Sequence, residues 1–370
     1  MPSMTATSTT VEPDHMVLGV DTHRDTHHAA VVDHLGREVA DAEFTTTPDG
    51  YRQLLDWARQ HGPIARAGVE GTHSYGTALT RHLRHAGVTV VEVDRPDRRT
   101  RRTRGKSDPV DAYAAARTAL SRPHAPKPKN ADGLVEAIRV IRITRRSAVK
   151  ARTQTINQLK SLLVTGPAEL REQLRGLKTP VLVKACIALE ITTRPTEPAE
   201  ATTTALHRLA QRYQQLTTEI RAADRELRPL ITAVAPAMLE RLGVALEVTG
   251  QLLTTIGDNP DRLRSEAAFA HLCGVAPIPA SSGRTHRHRL NRGGDRAANN
   301  AIYTVVLTRL RLDDRTRAYY RRRTAEGLSK RETIRCLQRY VARELYQLLI
   351  SLPLSSAPLP AQRGVGTAQP

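Results

Sequence analysis

Three cysteines, Cys186, Cys273 and Cys336, are all that the 370-residue chain contains, and they lie far apart. An odd, dispersed set excludes a disulfide framework and a paired-cysteine zinc knuckle. Aromatic residues make up 3% of the chain, too few for base stacking to be its main means of holding a polymer. No apolar run approaches the roughly 18 residues that a membrane-spanning helix needs. The first fifteen residues, MPSMTATSTTVEPDH, lack a basic stretch followed by an apolar one, so no signal peptide is expected. Acidic residues are also short, 37 against 56 Lys and Arg, which leaves a formal net charge of +19. Only eight of those 56 are lysine; coding bias explains arginine over lysine but not basic over acidic. Such an excess fits a polyanion, and contacts chiefly to nucleic-acid phosphates are expected. These absences predict a cytoplasmic protein with no membrane partner.

A chain of this length predicts two or three domains, since single cores rarely grow past about 250 residues. Met16 to Asp21 is a short apolar run ending in a carboxylate, and His27 to Asp33 and Glu38 to Thr46 follow after turn-like breaks, the second at Gly36. Three sequential strands with short connections predict an antiparallel meander. Pro48 to His61 has helical spacing at Tyr51, Leu54, Leu55 and Ala58. A strand at Ala65 to Glu70, a helix at His73 to Ala86 and a strand at Val88 to Asp94 complete the order βββαβαβ. That order is the one a ribonuclease-H-like α/β domain requires. No G-x-G-x-x-G follows the first strand, which disfavours a dinucleotide-binding fold.

The division expected along the chain is a disordered N-terminus (1–15), the α/β domain (16–122), a proline-bearing linker (123–133), a helical coiled-coil region (134–235), a mainly α C-terminal domain (236–350) and a disordered tail (351–370). In the helical region, Leu206, Leu209, Tyr213, Leu216, Ile220, Ala223, Leu227 and Leu230 alternate steps of three and four. Leu134, Ile138, Ile141, Ala148, Leu159 and Leu162 fit the same template, interrupted by Arg145 and Arg152. The spacing leaves open whether the helices pair within one chain or between chains. Leu242 to Ile256 resembles a helix-hairpin-helix, a phosphate-binding element, with Ala245 where its second glycine would stand. Ser329 and Glu332 fit a capping box opening the last helix.

Chemistry is expected at strand ends and one helix start. Asp21 and Glu70 each close a strand, and Asp108 and Asp111, three apart, share one face of a helix start. Four carboxylates brought together repel, and divalent cations relieve that repulsion; Mg²⁺ takes oxygen ligands and shares them with substrate phosphates. Taken singly, Asp108 reads as an N-cap before Pro109, Asp111 as a dipole partner, Asp21 as a turn residue and Glu70 as a solvated strand end. The conjunction in ribonuclease-H order favours the metal site over Asp25, Asp33, Glu92 and Asp94, whose positions converge less well. His23, His27 and His28 read as solvated loop residues, because nothing completes a zinc set. A basic loop runs from Ala280 to Asp295 with Arg284, His286, Arg287, His288, Arg289 and Arg292, expected to approach phosphate. Ser281 and Ser282 open it; a serine attacks only where a base or metal activates it.

At this point the residues resemble a known family. GVDTHRDTHHAAVVD, GVEGTHSYG and KSDPVDAYAAA resemble the N-terminal DEDD motifs of the IS110-type transposases. LRSEAAFAHLCGVAPIPASSGRTHRHRLNRGGDRAANNAIY resembles their C-terminal transposase domain, so the likeness runs from about Val17 to Leu349. The resemblance implies a RuvC-like domain in which Asp21, Glu70, Asp108 and Asp111 bind Mg²⁺, with Mn²⁺ as the alternative ion. It further implies a C-terminal serine that attacks DNA and forms a phosphoserine, mapped to Ser282 with Ser281 as alternate. It implies DNA as partner, a homodimer or homotetramer, and, for some members, a structured guide RNA; Arg145, Arg152, Arg284, Arg287, Arg289 and Arg292 are the candidate nucleic-acid contacts. Three alternatives stand beside this expectation. A metal-dependent nuclease or junction resolvase would use water and leave no covalent intermediate. A non-catalytic nucleic-acid scaffold would bind with steep salt dependence and no need of Asp21. A tyrosine recombinase using Tyr303, Tyr319, Tyr320 or Tyr340 would not need the acidic quartet.

Overall fold

The computed structural model describes residues 12–93, 107–122, 127–283 and 288–352. The expectations for residues 1–11, Asp94, residues 123–126, Arg284, His286, Arg287 and residues 353–370 lie outside these. The chain divides into two compact units, one of residues up to Gly133 with Ile256–Arg264, the other of Leu134–Thr255 with Ser265 onward. The helical middle and the C-terminal segment thus fall in the same unit.

In the first unit, β1 (Met16–Thr22), β2 (Thr26–Val32) and β3 (Glu38–Thr45) form the antiparallel meander, and α1 (Pro48–Gln60) leads to β4 (Ile64–Glu70). The helix α2 (Thr77–His85) then leads to β5 (Thr89–Val93). The sheet order is β3-β2-β1-β4-β5, with β1–β4 and β4–β5 parallel, a mixed sheet compatible with a RuvC-like fold. Side chains alternate across each strand. Leu18 and Val20 therefore pack with Leu54, Leu55, Leu79 and Leu83 of α1 and α2. Val17 faces the other way, with Ala30, Val32 and Val91, against Ala112, Tyr113, Ala116 and Ala119 of α3 (Asp108–Ser121).

That second face is unusually close-packed. A Cβ at Gly19 would stand 2.1 Å from the Ala112 carbonyl oxygen, and one at Gly68 would stand 2.4 Å from that of Ala115. The alanine-rich side of α3 thus rests directly on the backbone of β1 and β4, where only glycine leaves room. Gly19 and Asp21 share a face of β1, and Gly68 and Glu70 share a face of β4. Val20 pairs with Val69, so the two acids follow at matching positions, on the side that α3 covers.

The linker residues Lys127 to Asn130 are tied down rather than loose. Asn259 donates through Nδ2 to the Pro128 carbonyl (2.9 Å) and Arg262 through Nε to that of Lys127 (3.0 Å).

In the second unit, α4 (Leu134–Thr165) and α7 (Pro198–Val234) pack along one another within the chain. Between them, α5 (Ala168–Leu174) and α6 (Thr179–Ile187) close one end around Leu159, Leu163, Leu174, Leu182, Cys186 and Leu206. Of the predicted seam residues on α7, Leu206, Ile220, Ala223 and Leu227 are buried, whereas Leu209, Tyr213, Leu216 and Leu230 are half-buried. The two interrupting arginines find partners across the seam. Arg145 Nε donates to Asp224 Oδ1 (2.6 Å), and the Arg152 guanidinium lies over the Tyr213 ring, 5.7 Å from its centre. The remaining elements are α8 (Pro236–Leu239), α9 (Leu246–Ile256), α10 (Glu266–Leu272), a two-stranded ribbon of β6 (Ile278–Pro279) and β7 (His288–Arg289), α11 (Arg296–Leu312), α12 (Asp314–Ala325) and α13 (Lys330–Ile350). The Ser329–Glu332 capping box opens α13 as expected. Among the described residues, no helix is long and apolar enough to cross a membrane.

Candidate functional site

The close seat of α3 delivers its first turn to the end of β1. Ser107, not Asp108, holds the N-cap position, and Asp108 and Asp111 both fall in the first turn. Asp108 is therefore not spent on capping, which corrects the bland reading of that residue. Its carboxylate, that of Asp21 and the His23 ring offer ligand atoms within 4.8 Å of one another. His23 Nε2 lies 3.2 Å from Asp21 Oδ2 and 3.4 Å from Asp108 Oδ1.

Asp21 is 7% exposed and Asp111 3%, whereas the Asp108 side chain is half-exposed. Burial is the largest cause lifting Asp21 above the usual carboxylate range. His23 opposes the shift, and the charges of Asp111 and Asp108 add to it. The fourth acid, Glu70, is half-buried at the end of β4, where its carbonyl accepts the Thr22 hydroxyl at 2.9 Å. It is not among the three residues of the tight group. So the structure brings Asp21, Asp108 and His23 together and sets Asp111 near enough for its charge to act on Asp21. Glu70 stands level with Asp21 on the neighbouring strand.

The competing acids are engaged elsewhere. Glu92 pairs with His73 Nε2 (3.0 Å) and Arg262 (3.7 Å), Asp33 accepts from Arg37 and the Leu35 amide, and Asp25 is exposed. The histidines need correcting. His27 and His28 lie on β2, His27 fully buried and stacked on Tyr51, His28 bonded to Asp41 at 2.8 Å. His23 stands between two carboxylates. The signal available in the sequence was its place two residues after a strand-end aspartate, on the turn into β2.

The donor set fits a hard or borderline divalent ion. The carboxylates of Asp21 and Asp108 supply the oxygen ligands that suit Mg²⁺ and Mn²⁺, and the His23 imidazole beside them is the one borderline donor. A dication would offset the burial and, after it, the repulsion from Asp111 and Asp108 that together raise Asp21.

The second unit carries the basic loop. Ser281, Ser282 and Gly283 follow β6, and both serines are exposed. Among the described residues, neither hydroxyl has a hydrogen-bond partner. His288 and Arg289 form β7, and Arg292 is exposed beyond it. The far end of the loop is anchored. Asp295 Oδ1 accepts from the Ala297 and Ala298 amides (2.7 and 3.2 Å), while its Oδ2 accepts the Thr255 hydroxyl (2.7 Å) and Gln251 Nε2 (3.3 Å). Gln251 also accepts from Arg142 (2.8 Å), which is buried and bonded to Glu247 at 2.7 Å. A polar chain thus runs from α4 through α9 to the N-terminus of α11, and sequence spacing gave no sign of it. Asp295→Ala removes a cap and the acceptor that Thr255 and Gln251 share, although the Thr255 hydroxyl keeps the Gln251 carbonyl (2.9 Å) and Gln251 Nε2 keeps the Thr255 hydroxyl (3.1 Å). It is expected to cost about 2 kcal/mol in urea unfolding; a loss under about 0.5 kcal/mol would show that the chain does not anchor the loop.

The helix-hairpin-helix expectation, Leu242 to Ile256, falls on a turn with Gly243 at φ 83° and on α9, with the short α8 just before it. With Arg146, Arg241, Arg296 and Asn300 the turn lines a groove of about 920 Å³. Arg145, a candidate phosphate contact, instead bridges Asp224 and Glu247 (2.9 Å to the latter).

Two family models match the chain. Residues 18–166 match the DEDD-type IS110 transposase model, and residues 236–321 match that of the transposase IS116/IS110/IS902 family. A Streptomyces coelicolor protein named as a candidate transposase for the mini-circle IS117 is 27% identical, over 84% of this chain and 87% of its own length. An uncharacterized 43.6 kDa protein of insertion element IS110 from the same organism is 28% identical over 35% of this chain and 32% of its own. An uncharacterized 42 kDa protein of insertion element IS900 from Mycobacterium paratuberculosis is 28% identical over 40% of this chain and 37% of its own. A DEDD-type domain points to dependence on a divalent metal.

Proposed function

Because the chain belongs to the IS110-type transposases, enzymes that cut and rejoin DNA, we propose that it moves an insertion sequence by Mg²⁺-assisted phosphoryl transfer through a phosphoserine. The observation that carries this reading is the cluster at the start of α3, where Asp21 and Asp108 lie with His23. Asp21, Asp108 and Asp111 would hold the ion, with Glu70 reaching it from β4. When bound, it supplies charge neutralisation and polarisation of the scissile phosphate.

The chain's own residues do the rest. Ser282 Oγ attacks phosphorus, with Ser281 as alternate; an O–P bond to serine forms as an O–P bond within the DNA strand breaks. The serine proton leaves with the departing DNA hydroxyl. Rejoining is the reverse, with a DNA hydroxyl attacking the phosphoserine. One phosphate ester replaces another, so no external energy source is needed. Arg289 and Arg292 on the basic loop would stabilise negative charge gathering on the phosphoryl oxygens, and Arg284 and Arg287 would share that role. Arg152 serves the duplex from α4. We extend the reading to a homodimer or homotetramer and a structured guide RNA; sequencing copurified nucleic acid and measuring solution mass tests both.

The test is a covalent-adduct assay on end-labelled insertion-sequence DNA with Mg²⁺. Wild type should give a protein–DNA adduct that Ser282→Ala abolishes and Ser281→Ala preserves. Loss in Ser281→Ala alone would move the nucleophile by one residue. Cleavage with no adduct in wild type would remove the serine and leave water as the nucleophile.

A further inference from the structure

The few aromatic residues of this chain are not evenly spread. Tyr319 of α12 and Tyr340 of α13 meet at right angles, ring centres 5.5 Å apart. They line a cleft of about 690 Å³ together with Leu290, Arg289 and Arg335. Six arginines line it against a single carboxylate, Glu332, which is already used in the capping box. Arg339 and Arg343 pair with Glu266, and Arg322 and Arg323 with Glu326. Among the described residues, neither the Arg289 nor the Arg335 side chain has an ion-pair or hydrogen-bond partner.

The cleft therefore combines uncompensated positive charge with apolar and aromatic surface. Tyr340 is 52% exposed and Leu290 also 52%. The Arg322 guanidinium lies over the Tyr319 ring, 5.4 Å from its centre, so Tyr340 is the ring left for a visitor. Burial, with Cys336 and Tyr340 nearby, pushes the Tyr319 hydroxyl up to about 12, so it stays uncharged beside anions. A volume of this size suits a small ligand rather than a duplex. Phosphates alone would need arginines without an open ring, and a base reaches an aromatic face only when it is unpaired.

We propose that this cleft holds an unpaired segment of a DNA strand, one base stacked on Tyr340 and its flanking phosphates on Arg289 and Arg335. The proposal rests on the reading of the chain as a DNA-processing transposase, and adds the strand state that its C-terminal helices select. It also gives a role to tyrosines that the transfer chemistry leaves unused.

The test is fluorescence anisotropy with the full chain in EDTA, which prevents cleavage, using a labelled 12-nucleotide DNA single strand, the same sequence as a duplex, and an RNA single strand. Tyr340→Ala should weaken binding to the DNA single strand about 5- to 100-fold and leave duplex binding within about twofold. Tyr340→Phe should bind as wild type, and Tyr340→Leu, which keeps packing against Tyr319 without a π face, should behave like the alanine variant. Arg335→Gln should lower the salt slope for the single strand by about 0.7. Unchanged single-strand binding in both the alanine and leucine variants would overturn the proposal. So would an equal fall in duplex binding, or tighter binding of RNA than DNA. Failure here with metal-dependent cleavage intact removes the cleft alone; failure of all DNA binding removes the transposase mechanism with it.

Discussion

Asp21→Asn is expected to abolish metal-dependent DNA cleavage while making the metal-free protein more stable. The sign follows from linkage. The folded-state pKa of Asp21 is raised, first by burial and further by Asp111 and Asp108. A carboxyl with a raised folded pKa binds its proton more readily folded than unfolded. Its ionised form therefore costs stability, a cost absent below the unfolded pKa and fully present above the folded one. Asparagine keeps the shape and removes the charge. In the wild type a saturating divalent ion reverses that cost, with about 2.7 kcal/mol of stabilisation at a hundred times Kd. The variant should lack most of that gain and lose cleavage by about a thousandfold or more, because metal stabilisation of a phosphoryl transition state is worth several kcal/mol. Thermal unfolding with and without Mn²⁺, beside a cleavage assay, reads both effects. A variant that melts lower without metal, or keeps the full metal-induced shift, would count against a charge-strained site.

The second large effect is expected at a residue with no chemistry. Gly19→Val places side-chain carbon where the Ala112 carbonyl and Ala116 amide of α3 stand, at 2.1 and 2.3 Å from even a Cβ. Backbone cannot yield as a flexible side chain does, so α3 must lift from the sheet. A loss of about 3 kcal/mol or more is expected in urea unfolding, at the upper end of overpacking costs. Metal binding should fail with it, because Asp108 and Asp111 ride on the lifted helix. Gly87→Ala is the control. Its φ of 82° strains any side chain, but nothing lies within 4 Å, so a cost of about 1 kcal/mol is expected. Equal losses at the two positions would mean that backbone strain, not the seat of α3, explains the first.

Much of the first unit was legible because its strands are short, apolar and punctuated. The order of elements follows from Met16–Asp21, the breaks before His27 and Glu38, and the helical spacing from Pro48 to His61. Asp21, Asp108 and Asp111 could be named because acids at strand ends and helix starts leave the core. What periodicity does not register is close approach. Gly19 and Gly68 precede Asp21 and Glu70 by two residues each, and Ala112, Ala115, Ala116 and Ala119 follow at helical spacing. That pairing of glycine-bearing strands with an alanine-faced helix is the signal that sets the acids under α3. His23 reads as a solvated loop residue in the sequence because its second partner, Asp108, is 85 residues away.

The second unit hid more. Arg145 interrupts the apolar template of α4, which suggests an outward-facing charge. Its partners, Asp224 and Glu247, lie on helices 79 and 102 residues further along the chain. Arg142 and Asp295 are joined by a chain of bonds through Gln251 that no local pattern announces. Tyr319 and Tyr340 were visible only as candidate nucleophiles, because a count of aromatics says nothing of where they gather.

The most direct measurement is anomalous diffraction from crystals grown with Mn²⁺, at millimolar concentration and near neutral pH. A manganese peak bonded to the carboxylates of Asp21 and Asp108, absent in Asp21→Asn crystals, is the predicted result. No peak there, in protein whose DNA cleavage still requires the ion, would contradict the account, because the ion that drives the chemistry would then sit somewhere other than under α3.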